Sequence, residues 1–107
     1  MHEYSGSNIN WPHGGCLAVM ATSLAPEELS LRSGYPLFRD NDDLDFYAGL
    51  VIPESAVGPM LVMRHENNPE LLAAFYVDVG VDAAAAQIEI VQVFALDPAE
   101  VAWRREL

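Results

Sequence analysis

A chain of 107 residues, 51% of them hydrophobic, has the size and apolar content of one domain with one core and is too hydrophobic to stay disordered. Its net charge of −11 comes from 16 acidic and 5 basic residues, and every basic residue is an arginine. That composition excludes a Schiff-base lysine and a P-loop, and it argues against nucleic acid or anionic membrane as partners, because both repel an acidic surface.

The single cysteine rules out an internal disulfide. No apolar run approaches the ~20 residues that span a bilayer. Residues 1–15 lack the basic and apolar regions of a signal peptide, and no inserting segment precedes the Gly14–Gly15–Cys16 triplet that would otherwise suggest a lipoprotein site. The expected location is the cytoplasm.

In chain order, residues 1–15 read as a polar, turn-rich, loosely held arm anchored by Trp11. Cys16–Thr22 (CLAVMAT) reads as a strand. Pro26–Ser33 reads as a short helix, with Glu27 and Glu28 in its first turn, Leu24 and Leu29 as a staple and Gly34 after its end. Ala25 makes a poor N-cap for it. Residues 35–43 form a connection with a dense acidic run. Residues 43–52 (DLDFYAGLVI) alternate as a strand, with Leu44, Phe46, Ala48, Leu50 and Ile52 on one face and Asp45, Tyr47, Gly49 and Val51 on the other. Pro53 ends it.

Met60–His65 (MLVMRH) is the next strand, and the Asn67–Asn68–Pro69 turn folds residues 71–79 (LLAAFYVDV) back against it as an antiparallel hairpin. Residues 71–79 are apolar on both faces until Asp78, the pattern of a central strand. The alanine-rich connector 80–86, which Asp82 could cap, reads as a loose turn or a single helical turn. Residues 87–96 (QIEIVQVFAL) read as another strand, bulged near Val91 and Gln92 where the alternation weakens. Asp97, Pro98 and Glu100 then predict a C-terminal helix by N-cap, first-turn proline and capping box, with Leu96 and Val101 as a staple, Arg104 and Arg105 on the helix dipole, and Trp103 packed on the sheet.

These elements predict one α+β domain over residues 1–107: a mainly antiparallel sheet of four or five strands with two short helices, the second C-terminal, carried on one face. Two short helices leave apolar sheet uncovered, so a homodimer is expected to cover the rest.

Chemistry-bearing residues are sparse. Asp40, Asp42, Asp43 and Asp45 cluster densely enough to bind an oxygen-seeking cation, but the EF-hand pattern fails, since Asp45 and Val51 stand where it needs glycine and glutamate. The plain reading is a solvated loop; the other is an acidic docking patch. His2, His13 and His65 are the only histidines, and His13 with Cys16 supplies just two of the ligands a zinc site needs. Cys16 beside a strand reads as a small buried hydrophobe. There is no G-x-S-x-G elbow and no dinucleotide loop. No metal and no cofactor is indicated. Asp78 and Glu89 on adjacent strands would pair across a hairpin. Tyr47 and Tyr76, with Asp45 and Asp78, would line one aromatic and acidic patch if their strands are neighbours.

Two functional expectations emerge. One is a non-catalytic module that docks a basic protein partner, immunity- or antitoxin-like or a mimic of nucleic-acid charge. The alternative is a small-molecule or enzymatic pocket on the sheet face formed by Tyr47, Tyr76, Phe94 and Trp103.

Overall fold

The computed structural model describes residues 16–41, 46–67 and 71–106. In chain order these form β1 (Cys16–Thr22), α1 (Pro26–Ser33), β2 (Phe38–Asn41), β3 (Phe46–Ile52), β4 (Met60–His65), β5 (Ala73–Asp78), α2 (Ala83–Phe94), a single 3-10 turn (Pro98–Glu100) and β6 (Val101–Arg104). The strands make one sheet in the order β2-β3-β4-β5-β1-β6, antiparallel at every pairing. The fold is therefore α+β with two helices on an antiparallel sheet, with six strands among the described residues rather than four or five. No helix among them is long and apolar enough to cross a membrane. The 1–15 arm and its Trp11 anchor lie outside the described residues.

The expected early elements form where their local signals place them. The helix α1 starts at Pro26 without a side-chain cap, as Ala25 dictates, and ends at Gly34, whose φ of 80° accommodates the left-handed turn. Antiparallel pairing of β4 with β5 forms the expected hairpin, with Val62 opposite Phe75. Short β2 lies within the 35–43 connection, where local pattern gives no strand: Phe38 stands opposite Gly49 and Asp40 opposite Tyr47.

The last third of the described chain differs from its sequence reading. Residues 87–96 are not a strand. Residues 87–94 continue a helix that begins in the alanines, where the Asp82 side chain accepts from the Ala85 N–H at 3.1 Å, and Ala95 ends it. Ala86, Ile90 and Phe94, four residues apart, are fully buried, whereas Ile88 is 61% exposed. The weakened alternation at Val91 and Gln92 is this helical period. Asp97 opens only a three-residue 3-10 helix, Pro98–Glu100, not an α-helix. Its N–H does donate to Glu100 Oε1 at 2.9 Å, as in a capping box, but the turn ends after Glu100 and the chain becomes an edge strand. There the Thr22 hydroxyl and the Ser23 N–H both donate to the Glu100 carbonyl oxygen, and Val101 and Trp103 take register with Thr22 and Ala21. Tertiary pairing thus claims residues that local signals assign to a helix. Trp103 is 42% exposed on this edge, with the Arg105 guanidinium 5.7 Å from its ring, rather than packed into the sheet.

Strand directions explain why a helix is needed before β6. Since β5 and β6 are both antiparallel to β1, which lies between them, they are parallel to each other, and a parallel return requires a crossover. The helix α2 is that crossover, and α1 plays the same part between the parallel strands β1 and β2. Both pack on one face, in a single core that joins Leu29, Ile90 and Phe94 to Met20, Leu50, Ile52, Met60, Val62, Phe75 and Val77. Within it the Phe75 and Phe94 rings lie 5.4 Å apart.

Two polar devices lock this layer. The register of β1 shifts between Ala18 and Met20, and the Val19 carbonyl at that bulge accepts from buried Gln87 Nε2 at 3.1 Å and from the Arg105 N–H at 3.0 Å. Arg32, on α1, grips Glu100 with both terminal nitrogens at 2.8 and 2.9 Å, Glu28 through Nε at 3.2 Å, and the α2 end through the Ala95 carbonyl at 3.2 Å. The two hydrogen bonds from Arg32, helped by the Asp97 N–H, hold the Glu100 carboxyl down at about 2.

Gly49 is constrained by close approach. A β-carbon there would overlap the Val62 carbonyl oxygen and meet the Phe38 ring at 3.1 Å. Gly49→Ala is expected to cost more than about 2 kcal/mol by overpacking, measured by urea unfolding. For Glu100, a folded-state pKa below the unfolded value means that its contribution is present above the ordinary carboxylate range and lost as pH falls toward about 2. Glu100→Gln should therefore be less stable than the native chain at neutral pH, and the two denaturation midpoints should converge as the pH nears 2.

Candidate functional site

With both helices on one face, no described helix covers the other, where the side chains that alternate away from the core gather. Phe38 from β2, Tyr47 and Val51 from β3 and Leu61 from β4 form a second, smaller apolar cluster, with Met63 and Tyr76 packed against it. Register explains the set. Leu61 stands opposite Val51 on one side and Tyr76 on the other, and Tyr47 stands between Asp40 and His65. The Tyr47 ring meets Phe38 edge-on at 6.2 Å and His65 at 5.3 Å.

Tyr47 and Tyr76 share a face, but their strands are not the neighbours that the expected patch required, because β4 lies between β3 and β5. Tyr47 is only 9% exposed, so its ring serves packing first. Tyr76 is half-buried, and burial, aided by the nearby Cys16, raises its pKa.

The two described acidic candidates, Asp40 and Asp78, do not converge. Asp40 sits on the edge strand β2, where its Oδ1 accepts from the Asn41 N–H at 2.8 Å. Asp78 lies three strands away at the far end of β5, opposite Cys16, and its Oδ1 accepts from the Gly80 N–H at 3.3 Å in the turn toward α2. Strand spacings put the two about 14 Å apart across the sheet and about 20 Å apart along it. Asp42, Asp43 and Asp45 lie outside the described residues, as do His2 and His13. Among the described residues no three His, Cys, Asp or Glu side chains gather as a metal requires.

Three sequence-based expectations are overturned here. Asp78 and Glu89 do not pair across a hairpin, because Glu89 belongs to α2 and accepts from the Ala56 N–H of the β3–β4 connection. Phe94 cannot line a pocket with Tyr47 and Tyr76, since it is buried in the helix-side core, and Trp103 stands on the opposite edge strand from β2. Cys16 is exposed rather than buried.

Phe38 and His65 are, with Leu61 and Met63, members of this face that sequence reasoning missed. The segment FRDN is too short and polar for a strand signal, so only its pairing with β3 reveals that Phe38 turns inward over Gly49. The contact of His65 with Tyr47 arises from the β3–β4 register.

No protein-family model matches the chain, and neither a curated protein nor a solved structure matches it significantly.

The Tyr76 phenol should titrate above an ordinary tyrosine in an ultraviolet pH titration, and Tyr76→Phe should remove that late step. Cys16→Ser should move the same step toward lower pH, since it deletes the charge that adds to the effect of burial.

Proposed function

We propose that this chain is a non-catalytic binding module that docks a basic protein partner, in the manner of an immunity protein, an antitoxin or a mimic of nucleic-acid charge. The observation that carries this reading is uncompensated negative charge. Against 16 acidic residues there are five arginines, and two of these, Arg32 and Arg39, are already engaged by Glu28 with Glu100 and by Glu27. Asp40 lies in the edge strand β2 on the same face as Phe38 and Tyr47, and Asp42, Asp43 and Asp45 follow it closely in the sequence, so a basic partner docking at this edge would meet both charge and aromatic surface.

The helix-free face also supports two other occupants. One is a small cationic ligand held near Tyr47 and Tyr76, which share the face with Asp40 and Asp78. The second is another copy of the chain, giving the homodimer that uncovered apolar sheet favours.

Thermal shift with an arginine-rich peptide and with a small basic protein distinguishes these. Docking by charge predicts stabilisation at low salt that disappears when added salt shortens the screening length. A joint change of Asp42, Asp43 and Asp45 to Asn should slow association roughly tenfold, while neutralising Glu54, Glu66 and Glu106 instead should change it far less. Equal effects of the two triple variants would reduce the attraction to bulk charge, and no shift with either probe at low salt would end the proposal. A shift with a small organic cation alone would favour the pocket, and a doubled mass in light scattering would favour the dimer.

A further inference from the structure

We propose that residues 97–106, the 3-10 turn and β6, form a latched edge strand that opens as a unit while the other five strands and both helices stay folded. The argument rests on what attaches this segment. It borders only β1 in the sheet. Its own side chains bury little: Ala102, Trp103 and Arg104 are exposed, and only Val101 packs against the main core, next to buried Leu96 where the segment begins.

What holds it is polar. The Glu100 carbonyl accepts from Thr22 Oγ1 at 2.6 Å, the Arg105 N–H donates to Val19 at 3.0 Å, the Arg105 carbonyl accepts from Gln87 Nε2 at 3.0 Å, and Arg105 Nε donates to Ala18 at 2.7 Å. The Arg32–Glu100 fork closes over the turn. Each such bond is exchanged for one to water on opening, so its net contribution is small, whereas separating β3, β4 and β5 would expose the apolar core. Opening of 97–106 therefore costs less than global unfolding.

The segment has a defined boundary. Ala95 ends α2 in the left-handed region, its N–H and that of Leu96 donate back to the Gln92 and Val91 carbonyls, and Leu96 is buried, so the fixed part of the chain ends just before Asp97. Release of the strand leaves β1 as the sheet edge, with the backbone groups that β6 satisfied now free. This device is independent of the docking reading above.

Native-state hydrogen exchange on the whole chain tests it. The Arg105 N–H, bonded to Val19, should be at least roughly a hundredfold less protected than the Phe75 N–H at the sheet centre. Ile52→Val weakens the core in the latched and the opened forms alike, so Phe75 should lose protection about fivefold while Arg105 keeps its own. Glu100→Gln should lower Arg105 protection roughly tenfold; Arg32→Lys, which keeps the charge but loses the fork, should act in the same direction. Equal protection of Arg105 and Phe75, or an equal loss at both in Ile52→Val, would overturn the separate opening. Unchanged Arg105 protection in Glu100→Gln would overturn the latch.

Discussion

The structure depends on the position of β1 between β5 and β6. Placing the first strand inside the sheet forces two long returns, from β1 across three strands to β2 and from β5 over β1 to β6. These returns run in opposite directions along oppositely oriented strands. A half-turn about the sheet normal relates them, so crossovers of the same hand must land on the same face, and crossovers strongly prefer one hand. Both helices accordingly share one core, and the opposite face is left to side chains alone.

That asymmetry sets how each layer is held. Burial dominates on the helix side, where Val62, Phe75, Ile90 and Phe94 are all fully enclosed. The margin is held by hydrogen bonds instead. Gln87 reaches from α2 to the β1 bulge and to Arg105, and Arg32 joins α1 to the end of α2 and to the turn that starts β6. Arg32 has the planar fork for this, meeting a carboxylate with two nitrogens at once while its Nε serves Glu28. In a chain with 16 acidic residues, one arginine placed at the junction of three elements relieves repulsion where they meet.

On the other face, polarity and packing are mixed within single residues. Tyr47 packs between Phe38 and His65 yet lies opposite Asp40, and Tyr76 packs beside Leu61 while Asp78 stands two residues on in its strand. The glycine at 49 is what lets Phe38 turn down onto the sheet, which makes β2 more than a polar edge. The proposed basic or cationic partner rests on these aromatic rings and carboxylates and on the few cations in the chain that would compete for them.

Local pattern determined much by itself. The short apolar runs CLAVMAT and MLVMRH and the alternation in DLDFYAGLVI marked three strands, proline and glycine bounded α1, and the turn-forming Asn67, Asn68 and Pro69 pointed to the β4–β5 hairpin, because these signals act within a few residues. Composition determined the acidity and removed lysine chemistry. The tertiary structure decided the rest. The stretch QIEIVQVF satisfies a strand period nearly as well as a helical one, and only the need to cross over β1 makes it a helix. Asp97, Pro98 and Glu100 carry real helix-start signals, and only the open edge of β1, offering Thr22 and Ser23 to Glu100, turns Val101–Arg104 into a strand. Which candidates share a face, and which carboxylates stand apart, likewise depends on strand order, a long-range property that no local pattern encodes.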